Sequence, residues 1–273
     1  MPKNKMWGRV KLCGRLVIGL CVIATVVPLD AQRGNTYRAP RAPDGHPDLS
    51  GIWQSIGTAD MDLQPHPTYG GPYFQIGSLG AVPADSGVVE GGEIPYKPDA
   101  LAKKKENFAN RWKQDPEVKC YMPGIPRATY MPYPFQIVQS ANVILMSYEY
   151  ASANRVINMA RPREASVDTW MGTANGHWEG ETLVVDNTGF NDQSWLDRAG
   201  DFHSDELHVV ERYTRVDPYH IQYEATIEDP QVFSKPWKIS LPLYRRVEKN
   251  AQLGEFKCVE YAEELLYGDL RKK

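Results

Sequence analysis

The sequence predicts a mainly β protein: an antiparallel barrel of lipocalin-like, calycin-type architecture with a long irregular N-terminal segment and one helix, a β-sandwich being the alternative. Three observations carry that expectation. Beyond Met131, apolar and polar residues alternate with the period of two that sends successive side chains to opposite faces of a strand. Short clusters of Gly, Asn, Asp and Pro separate the alternating runs. No helical run falls between them, as it would in a doubly wound sheet. The 273 residues, 42% hydrophobic and 24% charged, suffice for a buried core and are too apolar for intrinsic disorder.

The chain begins with five basic residues, Lys3, Lys5, Arg9, Lys11 and Arg15, then an apolar run from Leu16 to Leu29, then Ala31. A charged start, a short apolar stretch and a small residue mark a secretory signal peptide over residues 1–31. The run is shorter than the roughly 20 residues of a membrane-spanning helix, although an uncleaved anchor is the alternative. Leu20 precedes Cys21 where a lipid-attachment site needs a small residue. An exported protein is expected, periplasmic or extracellular, with no membrane partner once the leader is gone. Cleavage removes five basic and one acidic residue, leaving 26 against 33 and a net charge of −7. That balance argues against nucleic acid as a partner, because phosphate-backbone binding needs a basic surface.

From Gln32 to residue 97 the chain is rich in Gly and Pro, so regular structure should be sparse there apart from a strand near Gly51–Ser55. Residues 68–95 read as a surface loop that covers something. Pro98-Asp99 opens a helix with Leu101, Phe108 and Trp112 on one stripe, ending near Asp115-Pro116. Lys103, Lys104 and Lys105 are expected to form its solvated face. Strands follow at Phe135–Ser140, Val143–Ala151, Arg155–Met159, Trp178–Asn187, Leu207–Val216, Tyr219–Asp229 and Trp237–Arg246, with a short last one around Glu255–Tyr261. Residues 98–273 are thus a helix plus barrel, one domain with the segment before them. Sidedness is explicit in three strands. Leu207, Val209, Glu211 and Tyr213 share a face, as do Ile221, Tyr223, Ala225, Ile227 and Asp229, and Trp237, Ile239, Leu241 and Leu243.

Cys13 and Cys21 leave with the leader, so Cys120 and Cys258 remain to meet an oxidising compartment. Closing a barrel brings its first and last strands together. A Cys120–Cys258 disulfide is therefore expected, joining the start of the barrel to its final strand.

Asp115-Pro116 followed by Cys120 and by Pro123-Gly124-Ile125-Pro126-Arg127 resembles a motif of a large group of secreted, functionally uncharacterised proteins of soil and acidobacterial-type bacteria. His46-Pro47-Asp48-Leu49-Ser50-Gly51-Ile52-Trp53 resembles the group's N-terminal signature. Gly176-His177-Trp178-Glu179-Gly180-Glu181-Thr182-Leu183-Val184-Val185, the run from Gly189 to Asp197 and the run from His203 to Arg212 resemble its later ones. The likeness spans nearly all of the chain after the leader and implies export, but it brings no reaction with it.

Candidate chemistry comes from the residues themselves. Glu211 and Asp229 fall on apolar faces, where desolvation raises a carboxyl toward the range of a general acid or base unless a cation holds it ionised. Arg127 is the expected cation, ahead of Arg155, because Arg212 must point away from Glu211 within their strand. Trp170 and Trp195 lie in loops, where aromatic rings line pockets for flat ligands, and Asp197, His203, Tyr223 and Trp237 complete the candidate ligand-binding set. His203 and His208 stand at a spacing that suits neither one strand face nor one helix face, so no metal is assigned. There is no Gly-rich phosphate loop, Gly-x-Ser-x-Gly elbow or His-Glu-x-x-His, and no cofactor is expected. The expected function is binding of a small hydrophobic or aromatic molecule, with cofactor-free acid/base catalysis by Asp229, Glu211 and Arg127, as in an isomerase, hydratase or lyase, as its catalytic form. A non-catalytic ligand-binding or surface-interaction protein is the alternative. Oligomeric state is not encoded in any of these features.

Overall fold

Each alternating run buries one face. In the computed structural model, which describes residues 37–71 and 73–270, nine strands follow one another around a closed barrel. They are β1 (Gly51–Ser55), β2 (Phe135–Gln139), β3 (Val143–Tyr148), β4 (Asn154–Asn158), β5 (Thr173–Glu179), β6 (Thr182–Thr188), β7 (His208–Arg215), β8 (His220–Glu228) and β9 (Trp237–Arg245). The expected leader lies outside the described residues. Ile221, Tyr223, Ala225 and Ile227 of β8, with Val209, Glu211 and Tyr213 of β7, are fully buried, so the predicted register holds. At roughly 1.5–3 kcal/mol per large apolar side chain, this shared interior is the main source of stability. Closure through β1 and β9, with Trp53 opposite Arg245 and Ser55 opposite Leu243, excludes the sandwich.

The barrel is not wholly antiparallel. A ring of strictly antiparallel pairs needs an even number of strands, so nine require a parallel pair. It falls at β4–β5, where Ile157 faces Ala174 and Asn158 faces Asn175, and residues 159–172 carry the chain back along the barrel. Trp178–Asn187, expected as one strand, is parts of two. Gly180, at φ +61°, turns the chain so that Glu179 pairs with Thr182. No strand forms at Glu255–Tyr261. β1 takes one stretch of the free edge of β9 and the segment around Val89 another, which leaves little open edge for it to join.

The long connections gather at one end of the barrel, where β1 finishes and β2, β4, β5, β7 and β9 begin; the tight turns at 140–142, 180–181 and 216–219 lie at the other. From Tyr37 onward the irregular N-terminal segment belongs to the same unit as the barrel. Part of it crosses the exposed stretch of β9, with Glu90 N–H donating to the Lys238 carbonyl and Ser240 N–H to that of Val88.

Helix α1 (Pro98–Gln114) docks by an unexpected face. Leu101 and Phe108 are 39% and 38% exposed, whereas Ala100 and Asn107 are buried. The reason is polar: the Asn107 amide donates to the Gly200 carbonyl at 3.2 Å, and Lys104 lies 3.8 Å from Asp201, so Lys104 is not part of a solvated face. A Cβ on Gly200 (φ +86°) would stand 2.7 Å from Asn107 Cβ and from the Phe108 nitrogen. Gly200→Ala is expected to lower stability by about 2 kcal/mol through this clash and the left-handed backbone, read as a lower urea midpoint at unchanged slope.

Candidate functional site

At the loop end, the chain after α1 makes a short turn at Pro116–Lys119 and then helix α2 (Arg127–Tyr130), all four residues of which are buried. Arg127 opens that helix and is surrounded by carboxylates. Its Nε donates to Asp60 Oδ1 at 2.7 Å, Nη1 to Asp115 Oδ1 at 2.8 Å, and Nη2 to Asp115 Oδ2 at 3.1 Å and Glu117 Oε2 at 2.8 Å. Arg198 Nε donates to the same Glu117 oxygen at 2.6 Å, and Arg198 Nη1 to Glu263 at 3.2 Å. Two guanidinium groups thus face two buried carboxylates, Asp60 and Asp115, and a partly buried third, Glu117. Burial opposes ionisation of Glu117, but Arg198 and Arg127 outweigh it and hold the carboxyl below its usual value. Asp60 is raised to about 6 by burial despite Arg127 beside it.

Arg198 and Glu117 form the floor of a cavity of about 300 Å³ whose walls include Tyr73, Trp112, Tyr133, Tyr150, Phe256 and Tyr261. The rings of Tyr133, Tyr150 and Phe256 contact one another at centroid distances of 4.9–5.4 Å. A second cavity of about 250 Å³ shares Tyr73, Trp112, Arg198 and Glu263 with the first and adds Met61, Ile76 and Tyr267. One wall of the first cavity is the C-terminal tail. The tail is tied down by the Cys120–Cys258 disulfide, with Cα atoms 5.8 Å apart, by the Tyr261 N–H to the Val118 carbonyl, and by Glu263 on Arg198. The expected pairing is therefore present, but Cys258 lies in an irregular tail outside the barrel and not in a closing strand.

The predicted residues are scattered. Arg127 does not pair with Glu211. The partner is Arg155, whose Nη1 and Nη2 reach the two carboxylate oxygens of Glu211 at 2.6 and 3.2 Å inside the barrel. Arg155 sits on β4, and the barrel's curvature brings its inward face against β7, a proximity that spacing along one strand cannot reveal. Tyr213 and Tyr223 donate to Glu211 and Asn187 does so as well, so Tyr223 is a core residue. Asp229 accepts from the Ser204 N–H and hydroxyl and from the N–H groups of Gln231 and Val232, clamping two loops. Trp170 lines a cavity of about 590 Å³ over Arg155 and Asn158. Trp237 lines a groove with Glu90 and Lys235, and half-buried Trp195 bridges to Phe202.

His203 and His208 do not converge. His208 faces Asp186 and Glu228 on the outside of the barrel. His203 is buried, and burial lowers its pKa, so the ring is neutral. Its Nδ1 lies 2.8 Å from the Ser204 carbonyl and therefore carries the proton, leaving Nε2 to accept from Ser194 Oγ at 2.8 Å. That has the geometry of a base and its hydroxyl, but Ser194 is buried and lines none of the cavities described here. Asp197 accepts from the N–H groups of Leu63 and Asp201. Sequence reasoning missed Asp60, Asp115, Glu117, Arg198 and the tail aromatics. The close spacing of Asp115 and Glu117 to Arg127 was the one local signal available.

The fold and site define a class: a closed nine-stranded barrel with an aromatic side cavity floored by an arginine–glutamate pair. No family model matches the chain, and neither a curated protein nor a solved structure matches it. Among the described residues no helix is long and apolar enough to cross a membrane.

Proposed function

We propose that the protein is exported and binds a small aromatic or hydrophobic molecule, in the side cavity and not in the barrel lumen. The observation that carries this is the ring of aromatic side chains around about 300 Å³ of space, a size at the lower end of small-molecule sites. The lumen supports it less, because residues from opposite walls, Tyr148, Arg155, Glu211, Tyr213 and Tyr223, fill the space between them and are buried. Export rests on the leader sequence, on the resemblance to secreted proteins and on a disulfide of the kind that oxidising compartments sustain.

Binding is favoured over acid/base catalysis by what surrounds Glu211, Asp229 and Arg127. Each has its polar atoms engaged by protein partners, and none of the three lines the aromatic cavity. Trp112 is a reporter in the wall. Titration of the mature protein with a library of small aromatic compounds is expected to give saturable quenching of tryptophan fluorescence. Phe256→Ala, in the aromatic wall and outside the charged network, should weaken the best ligand about tenfold, which corresponds to roughly 1.4 kcal/mol of lost ring contact. A library with no saturable ligand, or a ligand indifferent to Phe256→Ala, would overturn the reading.

A further inference from the structure

Asp197 and Asp201 stand four residues apart in the loop between β6 and β7, and Asp62 comes from the N-terminal segment. Each brings a carboxylate oxygen within 4.8 Å of the others. Asp197 and Asp201 are fully buried and Asp62 is partly so. Backbone donors serve Asp197, from Leu63 at 2.9 Å and Asp201 at 3.1 Å, and Asp62, from Gln64 at 2.9 Å. Asp201 Oδ1 accepts from the Tyr96 hydroxyl at 2.7 Å. Asp201 Oδ2 is buried and has no hydrogen-bond partner.

An unpaired oxygen of a buried carboxylate is expensive when it is ionised, and here two further carboxylates stand beside it. The nearest cation is Lys104, 3.8 Å from Asp201 Oδ1, the oxygen that Tyr96 already serves. One ammonium group faces three carboxylates. Such a cluster must either hold protons or share a positive ion.

We propose that Asp62, Asp197 and Asp201 bind a divalent cation of the calcium type. Oxygens on opposite sides of a calcium ion are separated by roughly 4.6–5.2 Å, twice the calcium–oxygen distance, so a set of oxygens within 4.8 Å of one another is compatible with one shared ion. The donors are carboxylate oxygens without His or Cys, which selects a hard ion over zinc or copper. Magnesium keeps most of its waters and is poorly suited to a site two of whose three donors are fully buried. Half-buried Asp62 is the open side through which the ion exchanges. Bound there, the ion ties the N-terminal segment to the loop that α1 grips through Asn107 and Gly200. Its role is to hold those elements together, independent of any ligand in the aromatic cavity.

The test uses the full mature chain stripped with EDTA and then titrated with calcium or magnesium chloride to about 5 mM, above the roughly 10⁻⁴–10⁻³ M range of extracellular calcium modules. Calcium is expected to raise the thermal midpoint saturably and magnesium to do so at least tenfold less effectively. Terbium should give emission sensitised by Tyr96, and calcium should displace it. Asp201→Asn should abolish both signals. Asp62→Asn removes the exposed donor and leaves the buried pair, so it should fold in EDTA like the parent while losing at least tenfold in calcium affinity. A midpoint indifferent to calcium, one that rises only on acidification, or displaceable terbium emission undiminished in Asp62→Asn would each overturn the proposal.

Discussion

Replacing Arg127 with methionine is expected to cost about 4–5 kcal/mol at neutral pH, most of a typical domain's stability. Removing one partner of a buried ion pair costs roughly 3–5 kcal/mol because the other charge is left uncompensated, and here one guanidinium serves Asp60, Asp115 and Glu117 together. Arg198 still reaches Glu117, which keeps the loss from being threefold. Arg127→Lys should recover only part of it, since an ammonium group cannot make the paired bonds to Asp115. The deficit should depend on pH. Without the cation that opposes its burial, Asp60 binds a proton still more readily folded than unfolded, so the variant gains stability as the pH falls from 8 toward the unfolded value near 4. Asp60 already carries that sign in the parent: its folded value of about 6 is raised, so its contribution is greatest below about 4 and is lost as the pH rises through 6. Urea unfolding followed by tryptophan fluorescence at pH 5, 6, 7 and 8 measures both effects. A variant as stable as the parent at pH 7, or one whose deficit grows on acidification, contradicts this account.

Loss of the Cys120–Cys258 bond has the second large effect. Their sequence separation of 138 gives about 5 kcal/mol on the chain-entropy model, with measured values more often 2–4. The larger consequence is local. The tail bearing Phe256, Tyr261 and Glu263 adds no strand to the barrel, so the double Ser variant should keep its far-ultraviolet spectrum, unfold at lower denaturant and lose ligand quenching at Trp112. Intact mass with and without reductant must differ by two hydrogens in the parent. Free thiols in the folded exported chain, or quenching unaffected by their replacement, would remove the tail from the site.

Much of the barrel was legible because alternation is a local property that survives into three dimensions. A face of Ile221, Tyr223, Ala225 and Ile227 has only one way to be buried, and the turn residues after it mark where the strand must end. Residues 255–261 contain enough β-forming side chains to read as a strand, yet strand formation requires a partner, and the edge of β9 was taken by β1 and by the segment around Val89. Helix α1 misled for a related reason. Its apolar stripe was real, but the surface waiting for it was the polar loop around Gly200 and Asp201, which accepts Asn107 and Lys104 better than Phe108.

The sequence by itself determined most of the strands and the inward faces of β7, β8 and β9, because each depends on residues close together, and it pointed to the Cys120–Cys258 pair. Only the tertiary structure decided which charges meet. Arg155 finds Glu211 across the barrel, Arg127 collects carboxylates from segments up to 67 residues away, and Asp62 joins Asp197 and Asp201. A buried charge takes whatever opposite charge the packing of the whole chain brings within reach, and no periodicity along the chain encodes that distance.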